Sequence, residues 1–216
     1  MVSRAKLYDL LCASPMIALL ALVALGFVLK IRAEIGTGAP GLVADIAAKT
    51  VFALFAAIQV VLFCVRELPV VKAQGWAPRA AALVGANTAL LLLLLPMAHP
   101  EGALSVISAI CAVGGTAAGC FVLLWLGRGF SILPQARKFV VSGPYRVVRH
   151  PLYLAELIAL FGAMWQYRQP WSFAIFALTT AAQFPRMDFE EAILADAYPG
   201  YRAYAIRTAR LFPGLY

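Results

Sequence analysis

The sequence predicts an all-α, polytopic integral membrane protein with about six transmembrane helices, including a C-terminal helical hairpin, in a single domain over 1–216. Of its 216 residues, 63% are hydrophobic and 13% are charged, against about 45–50% and about 25% in an average soluble domain. Apolar stretches recur along the chain, and no fixed period indicates repeats. The composition therefore excludes an ordinary soluble domain.

Each predicted helix follows from an apolar run. A hydrocarbon core of about 30 Å takes about 20 residues to cross, and four runs approach that length: 14–29, 48–65, 80–98 and 103–126. A fifth apolar region, 151–185, is interrupted by YRQPW at 167–171, where Arg168 and Pro170 predict the tip of a tight hairpin. This gives six crossings; because the hairpin arms are short, five spans with a re-entrant pair is the alternative.

The charge distribution predicts the orientation in the membrane. All 18 basic residues except Lys30, Arg32, Lys49 and Arg168 fall on the side that carries both termini, and basic residues mark the cytoplasmic side. Both termini are therefore expected in the cytoplasm, and the compact, alanine-rich chain fits a bacterial inner membrane. The net charge of +8 follows from topology and from anionic membrane lipids, so we expect no nucleic acid partner.

Cysteines and histidines do not predict a metal site. Cysteines 12, 64, 111 and 120 lie in or beside predicted spans without paired spacing, which is typical of isolated buried thiols rather than disulfides or zinc ligands. His99 and His150 fall at opposite ends of predicted spans, about a bilayer thickness apart. They cannot share a metal or a haem.

A basic segment precedes the predicted hairpin. The Gly-Pro pair at 143–144 predicts a turn, and Pro151 suits the first position of a helix, which places His150 at the helix boundary. Free backbone N–H groups at a helix start favour an anion. Together with Arg146, Arg149 and His150, they predict a site for a phosphate, a carboxylate or a lipid headgroup.

A second charged cluster follows the hairpin. Arg186 and Glu190 are four residues apart and share a helix face, with Glu191 beside them. An arginine that precedes a glutamate stabilises a helix by less than the reverse order, which itself contributes roughly 0.2–0.5 kcal/mol. Helix stability alone therefore does not explain the cluster. Pro199 and Gly200 then end the helix, and Tyr201 and Tyr204 are expected to pack or to lie at the membrane interface. The two clusters should meet at the feet of the hairpin.

These linked motifs resemble the isoprenylcysteine carboxyl methyltransferase family, which is related to the phospholipid N-methyltransferases. The resemblance covers about 120–214 and rests on LGRGFSILPQARKFVVSGPY, SGPYRVVRHPLYL, Arg186, EEAIL and YRAYAIRTARLFPG. It implies a membrane enzyme that transfers a methyl group from S-adenosylmethionine to a lipid-like or amphiphilic acceptor, a carboxylate first, at the cytoplasmic membrane boundary. The first four spans, 1–126, would then precede a cofactor-binding and catalytic part, 127–216.

The resemblance also implies roles for individual residues. The cofactor would contact Gln135, Tyr145, Arg149, His150 and Tyr153, with Gly143 and Pro144 shaping the turn. The catalytic acceptor site would contain Arg186, Glu190 and Glu191. The chain departs from the family pattern at Ala155, where a glycine is common, and at Glu156 beside it. It also has YPG in place of FG. These departures bear on the identity of the acceptor.

General chemistry supports the reaction and leaves alternatives open. Aromatic faces attract a cationic sulfonium, and Arg186 could hold a carboxylate through its planar fork. Were the acceptor a phospholipid amine, Glu190 or Glu191 could remove its proton. A membrane reductase of the sterol-reductase type using NADPH is a second hypothesis, and a non-enzymatic transport or scaffold protein is a third.

Overall fold

The fold is a bundle of helices that run back and forth between two ends. The computed structural model describes residues 4–35, 42–98 and 100–214, and His99 lies outside them. The helices are α1 Arg4–Glu34, α2 Leu42–Val65, α3 Ala77–Asn87, α4 Gly102–Leu126, α5 Pro151–Met164, α6 Trp171–Ala197 and α7 Tyr201–Arg207. The prediction of an all-α polytopic membrane protein is confirmed.

Four segments are long and apolar enough to cross a membrane. They are Arg4–Glu34, Val43–Val65, Ala77–Leu94 and Gly102–Gly129, and α5 is a shorter apolar helix. The fourth lies where the sequence predicts it, whereas the first two extend several residues beyond the predicted runs. The third starts earlier and ends earlier than predicted, and it changes from α-helix to 3₁₀-helix at Thr88.

The 3₁₀ winding explains how this short third segment reaches across a membrane. Seven residues, Thr88–Leu94, form the 3₁₀-helix, and such runs rarely exceed about 3–4 residues. A 3₁₀-helix rises about 2.0 Å per residue against about 1.5 Å in an α-helix. The combined segment Ala77–Leu94 is therefore about 30 Å long, which is the thickness of a hydrocarbon core.

The predicted hairpin is formed by α5 and α6. Its turn lies between Met164 and Trp171 and pairs with the chain that follows the 3₁₀-helix. Ala98 donates its N–H to the carbonyl of Gln166 at 2.9 Å, and Arg168 donates to Pro96 at 3.0 Å. The turn is thereby fixed at the end of the bundle opposite the hairpin's feet.

Close packing against α4 holds the short helix α5 in place. A Cβ added at Gly162 would lie 2.3 Å from the backbone N of Ala112, and one at Gly115 would lie 2.4 Å from that of Ala159. The Ser108 hydroxyl donates to the Gly162 carbonyl at 2.8 Å. Small residues allow such backbone approach between membrane helices, so α4 fixes the position of the residues that begin α5.

A short strand pair, which the sequence did not predict, joins two loops beside the feet of the hairpin. β1, Val71–Lys72, pairs antiparallel with β2, Gln135–Ala136. β1 belongs to the connection between α2 and α3, and β2 to the connection between α4 and α5. The predicted break at Pro199 and Gly200 is confirmed, since α6 ends at Ala197 and α7 begins at Tyr201.

Candidate active site

A turn delivers the basic segment to the start of α5. Gly143 has φ +58°, and a Cβ there would lie 2.2 Å from the Trp125 ring, so the position requires glycine on both backbone and steric grounds. A 3₁₀ turn runs from Gly143 to Arg146. α5 then begins at Pro151 with His150 as its N-cap residue, as predicted.

The C-terminal tail runs beside this segment and completes the site. Arg149 donates its backbone N–H to the Ala209 carbonyl at 2.8 Å, and His150 donates to Arg210 at 3.2 Å. Leu211, 2% exposed, packs in one buried cluster with Tyr153 and Met187. The tail therefore couples the first turn of α5 to α6.

The anion that lies against the basic segment is the side chain of Glu191. Its carboxylate accepts from Arg149 Nη1 at 2.6 Å and from Arg210 Nε at 2.9 Å, and its Oε1 lies 2.8 Å from His150 Nε2. Burial alone would raise the pKa of this carboxyl, but the hydrogen bond with His150 and the charges of His150, Arg149 and Arg210 hold the pKa below its usual range. Glu191 is thus a fixed carboxylate where the start of α5 meets α6, a point that we call the hinge.

A stack of three side chains extends inward from His150. The rings of His150 and Tyr153 are parallel within 5°, with centroids 5.2 Å apart. The guanidinium carbon of Arg186 lies 4.5 Å from the Tyr153 centroid, a cation–π distance. The Tyr153 hydroxyl donates to Glu190 at 2.5 Å, so Tyr153 is held from three directions.

The deepest part of the site is a charged cluster between α5 and α6. Arg186, which is 3% exposed, lies 4.0 Å from Glu156 Oε2 and donates to Gln183 at 3.3 Å. Its Nε is buried with no hydrogen-bond partner within the described residues. We call Tyr153, Glu156, Gln183 and Arg186 the inner cluster. The sequence marked Glu156 as a departure but gave it no role.

A cavity opens on the other side of His150, between the 129–140 segment, α6 and α7. Its volume is about 60 Å³, and its polar lining includes Gln135, Arg149, His150 and Glu190. The Nε of Arg149 is buried and has no hydrogen-bond partner in the described part of the chain. Glu190 therefore belongs to both parts of the site, since it also accepts from Tyr153 of the inner cluster.

Aromatic rings form one wall of this cavity. Phe139, Tyr145, Tyr201 and Tyr204 line it, and Phe139 lies 5.7 Å from Tyr201 and 5.6 Å from Tyr204 between centroids. The Tyr204 hydroxyl donates to the Tyr145 carbonyl at 2.5 Å, and burial raises the pKa of Tyr204 to about 12. The expectation that Tyr201 and Tyr204 pack or lie at the membrane interface did not include a place in the cavity wall, because that place depends on where α7 folds back.

The structure separates the predicted site residues into two groups. Those that line the cavity are Gln135, Tyr145, Arg149, His150 and Glu190. Those that lie beside it are Gly143 and Pro144 in the turn, Tyr153 and Arg186 in the inner cluster, and Glu191 at the hinge. The structure thus brings the predicted residues to one end of the bundle, and their individual roles stay predictions.

A family of known proteins matches a region that includes most of the candidate site. Residues 101–200 match the model of the phospholipid methyltransferase family. The match runs from the start of α4 to the break before α7 and supports a membrane methyltransferase. Among the residues that the structure describes, no group of three or more His, Cys, Asp or Glu side chains could hold a metal ion.

Two curated relatives match a shorter region. The chain is 38% identical over 77 residues to the cobalt-zinc-cadmium resistance protein CzcN of Cupriavidus metallidurans, covering 35% of this chain and 36% of that protein. It is 32% identical over 82 residues to the nickel-cobalt-cadmium resistance protein NccN of Alcaligenes xylosoxydans xylosoxydans, covering 38% of each. The chain thus spans little more than a third of these relatives' length. No solved structure matches it significantly.

Proposed function

We propose that the chain is an S-adenosylmethionine-dependent membrane methyltransferase, with the cofactor in the aromatic-walled cavity and a lipid-like acceptor at the inner cluster. The observation that carries the proposal is the position of Glu190. It lines the cavity and also accepts a hydrogen bond from Tyr153, whose ring stacks with Arg186. The two halves of a transfer site therefore share a residue.

The cavity residues fit the cofactor chemically. S-adenosylmethionine supplies an electrophilic methyl group on a cationic sulfonium. Aromatic faces such as those of Phe139, Tyr201 and Tyr204 attract cations, and the unpartnered Nε of Arg149 offers a donor for the cofactor's carboxylate. Because a cavity of about 60 Å³ is far below the roughly 300–1,000 Å³ of ligand pockets, binding requires the 129–140 segment or α7 to shift outward.

The protein's task in such a transfer is alignment. Displacement at a sulfonium needs little proton chemistry, so positioning and electrostatics supply most of the rate gain. Glu191 holds Arg149 and His150 in place, and His150 in turn stacks with Tyr153. We therefore assign Glu191 a positioning role and keep Arg186 and Glu190 as the residues that face the acceptor.

The acceptor could be a carboxylate, as the sequence predicted, held by the free Nε of the buried Arg186. One observation favours an amine instead, as in a phospholipid headgroup. Glu156 already lies 4.0 Å from Arg186. Glu190 is a second carboxylate nearby, because it accepts a hydrogen bond from Tyr153, whose ring lies against Arg186. Two carboxylates around one arginine would repel an anionic acceptor but stabilise the cation that forms on a methylated amine.

The surroundings suit an acceptor from the bilayer. The inner cluster lies between α5 and α6, the two arms of the predicted membrane hairpin. A lipid could reach it from the side while the water-soluble cofactor enters from the cytoplasm. We place the enzyme in a bacterial inner membrane with both termini cytoplasmic, surrounded by anionic lipids that its basic residues contact.

Transfer of a labelled methyl group tests the proposal. Purified protein in nanodiscs is incubated with methyl-labelled S-adenosylmethionine and a bacterial lipid extract, and label is counted in the organic phase. We expect label in lipid; label that mild base releases as volatile methanol identifies a methyl ester, and label that stays non-volatile after the same treatment identifies an N-methyl group. Absence of transfer together with oxidation of NADPH by the same preparation would support the reductase instead.

A further inference from the structure

A buried charge cluster outside the proposed transfer site connects the first helix to the cavity. Asp9 of α1 accepts from Arg66 Nε at 2.9 Å and from Arg137 Nη2 at 2.9 Å. The three residues, which we call the Asp9 cluster, are 6%, 6% and 3% exposed. Asp9 and Arg66 lie outside the matched region 101–200, whereas Arg137 lies within it.

The Asp9 cluster reaches the cavity through one hydrogen bond. The same Nη2 of Arg137 that bonds Asp9 donates to the side-chain Oε1 of Gln135 at 2.6 Å. Arg137 Nη1 also donates to the backbone carbonyl of Glu67, so the guanidinium is fixed from two sides. Gln135 lines the cavity.

The chemistry of arginine determines which way the Gln135 amide points. A guanidinium has donors and no acceptor, so the atom facing Arg137 must be the amide oxygen. The Ser131 hydroxyl lies 3.5 Å from the same oxygen. The NH₂ group of Gln135 must therefore point away from Arg137, and because Gln135 lines the cavity, this group is a candidate donor to a ligand there.

We propose that Asp9 and Arg137 are positioning residues for cofactor binding, because they fix the Gln135 amide with its NH₂ group toward the cavity. The inference rests on the proposed function, since it takes the cofactor as the ligand of Gln135. It adds that a residue of the first helix controls the affinity of a site formed by the second half of the chain.

The chain offers a matched pair of variants for the test. Arg137→Met and Arg66→Met each remove one arginine from Asp9 and leave the other, so the Asp9 carboxylate stays paired in both. Arg137 donates to Gln135, whereas Arg66 donates to Asp9 and is not among the residues that line the cavity. Titration of S-adenosylmethionine into each variant, with melting temperatures measured alongside, separates positioning from general destabilisation.

We expect Arg137→Met to raise the Kd for S-adenosylmethionine by about tenfold, the equivalent of one hydrogen bond, and Arg66→Met to leave it within about twofold. In a Gln135→Ala background, Arg137→Met should have no further effect. Equal losses in both methionine variants, or a full effect of Arg137→Met without Gln135, would overturn the proposal.

A second readout does not depend on the cofactor. In glutamine-labelled protein, the Gln135 side-chain amide signal, identified by its loss in Gln135→Ala, should be rigid in wild type and in Arg66→Met but mobile in Arg137→Met. A mobile amide in wild type contradicts the positioning role. A rigid amide without any binding of S-adenosylmethionine contradicts the proposed function instead, so the two failures are distinguishable.

Discussion

The carboxylate of Glu191 contacts three basic residues of the site. It faces Arg149, His150 and Arg210 within 2.9 Å. Replacement by Gln leaves the partly buried Arg149 without this carboxylate and Arg210 with that of Asp188, which we expect to destabilise the fold by about 3 kcal/mol. Thermal unfolding in detergent at pH 7 measures the loss, and an unchanged melting temperature would show that Arg149, His150 and Arg210 do not depend on Glu191.

The stability that Glu191 supplies should also depend on pH. Its pKa is lower in the folded protein than its ordinary value of 4.5, so its contribution is complete above that value and is lost as the pH falls through the folded pKa. We expect the melting temperature of wild type to fall more steeply below pH 4.5 than that of Glu191→Gln. Parallel curves for the two proteins would contradict this linkage.

Glu156 decides between the two acceptor classes. If an amine is methylated, Glu156→Gln removes one of the two carboxylates that stabilise the forming cation, and turnover should fall about tenfold, or about 1.4 kcal/mol in barrier. The labelled-methyl assay measures this, with an unchanged melting temperature as the control for folding. Unchanged or faster turnover, with label that mild base releases as volatile methanol, would favour a carboxylate acceptor held by Arg186.

Among the helices, the close contact between α4 and α5 positions the site residues at the start of α5. Gly162→Ala would place a Cβ 2.3 Å from the backbone of Ala112, whereas a Cβ at Gly114 of α4 meets nothing within 4 Å. We expect Gly162→Ala to destabilise the protein by about 2 kcal/mol and to weaken cofactor binding, and Gly114→Ala to do neither. Equal melting temperatures of the two variants would show that α4 and α5 do not pack this closely.

Local signals predicted some elements and missed others. Pro151, the break at Pro199 and Gly200, and the turn near Arg168 are set by the chain's own chemistry, so the hairpin was predicted. The 3₁₀ winding of Thr88–Leu94 has no such signal in a run of leucines. The β1–β2 pair joins loops more than 60 residues apart, a pairing that depends on how the helices pack.

The candidate site was predictable to a similar depth. His150 and Arg186 stood out because charge is rare in so apolar a chain. The roles of Glu156, Tyr201 and Tyr204 depend on contacts across α5, α6 and α7, which no spacing in the sequence reveals. The sequence predicted Glu191 as a catalytic residue, and its contacts with Arg149, His150 and Arg210 depend on how the start of α5 and the C-terminal tail fold against α6.

For the molecule in its membrane, we expect the site and both termini to share one side. A cysteine at Arg168, in the hairpin turn, should react with a membrane-impermeant maleimide added outside intact cells, and one at Arg202, in α7, should react after permeabilisation only. The substitutions are matched, since both replace an arginine in a short connecting or terminal segment. The reverse labelling pattern would invert the proposed orientation.

Calorimetric titration of S-adenosylmethionine into nanodisc-purified protein shows whether the cavity binds this cofactor. Wild type, His150→Ala and Arg146→Ala are compared, because His150 lines the cavity whereas Arg146 is exposed and tests the general effect of positive charge. We predict saturable binding to wild type and Arg146→Ala that His150→Ala loses. Folded wild type that binds no S-adenosylmethionine, or binding unaffected by His150→Ala, would contradict cofactor binding in the cavity.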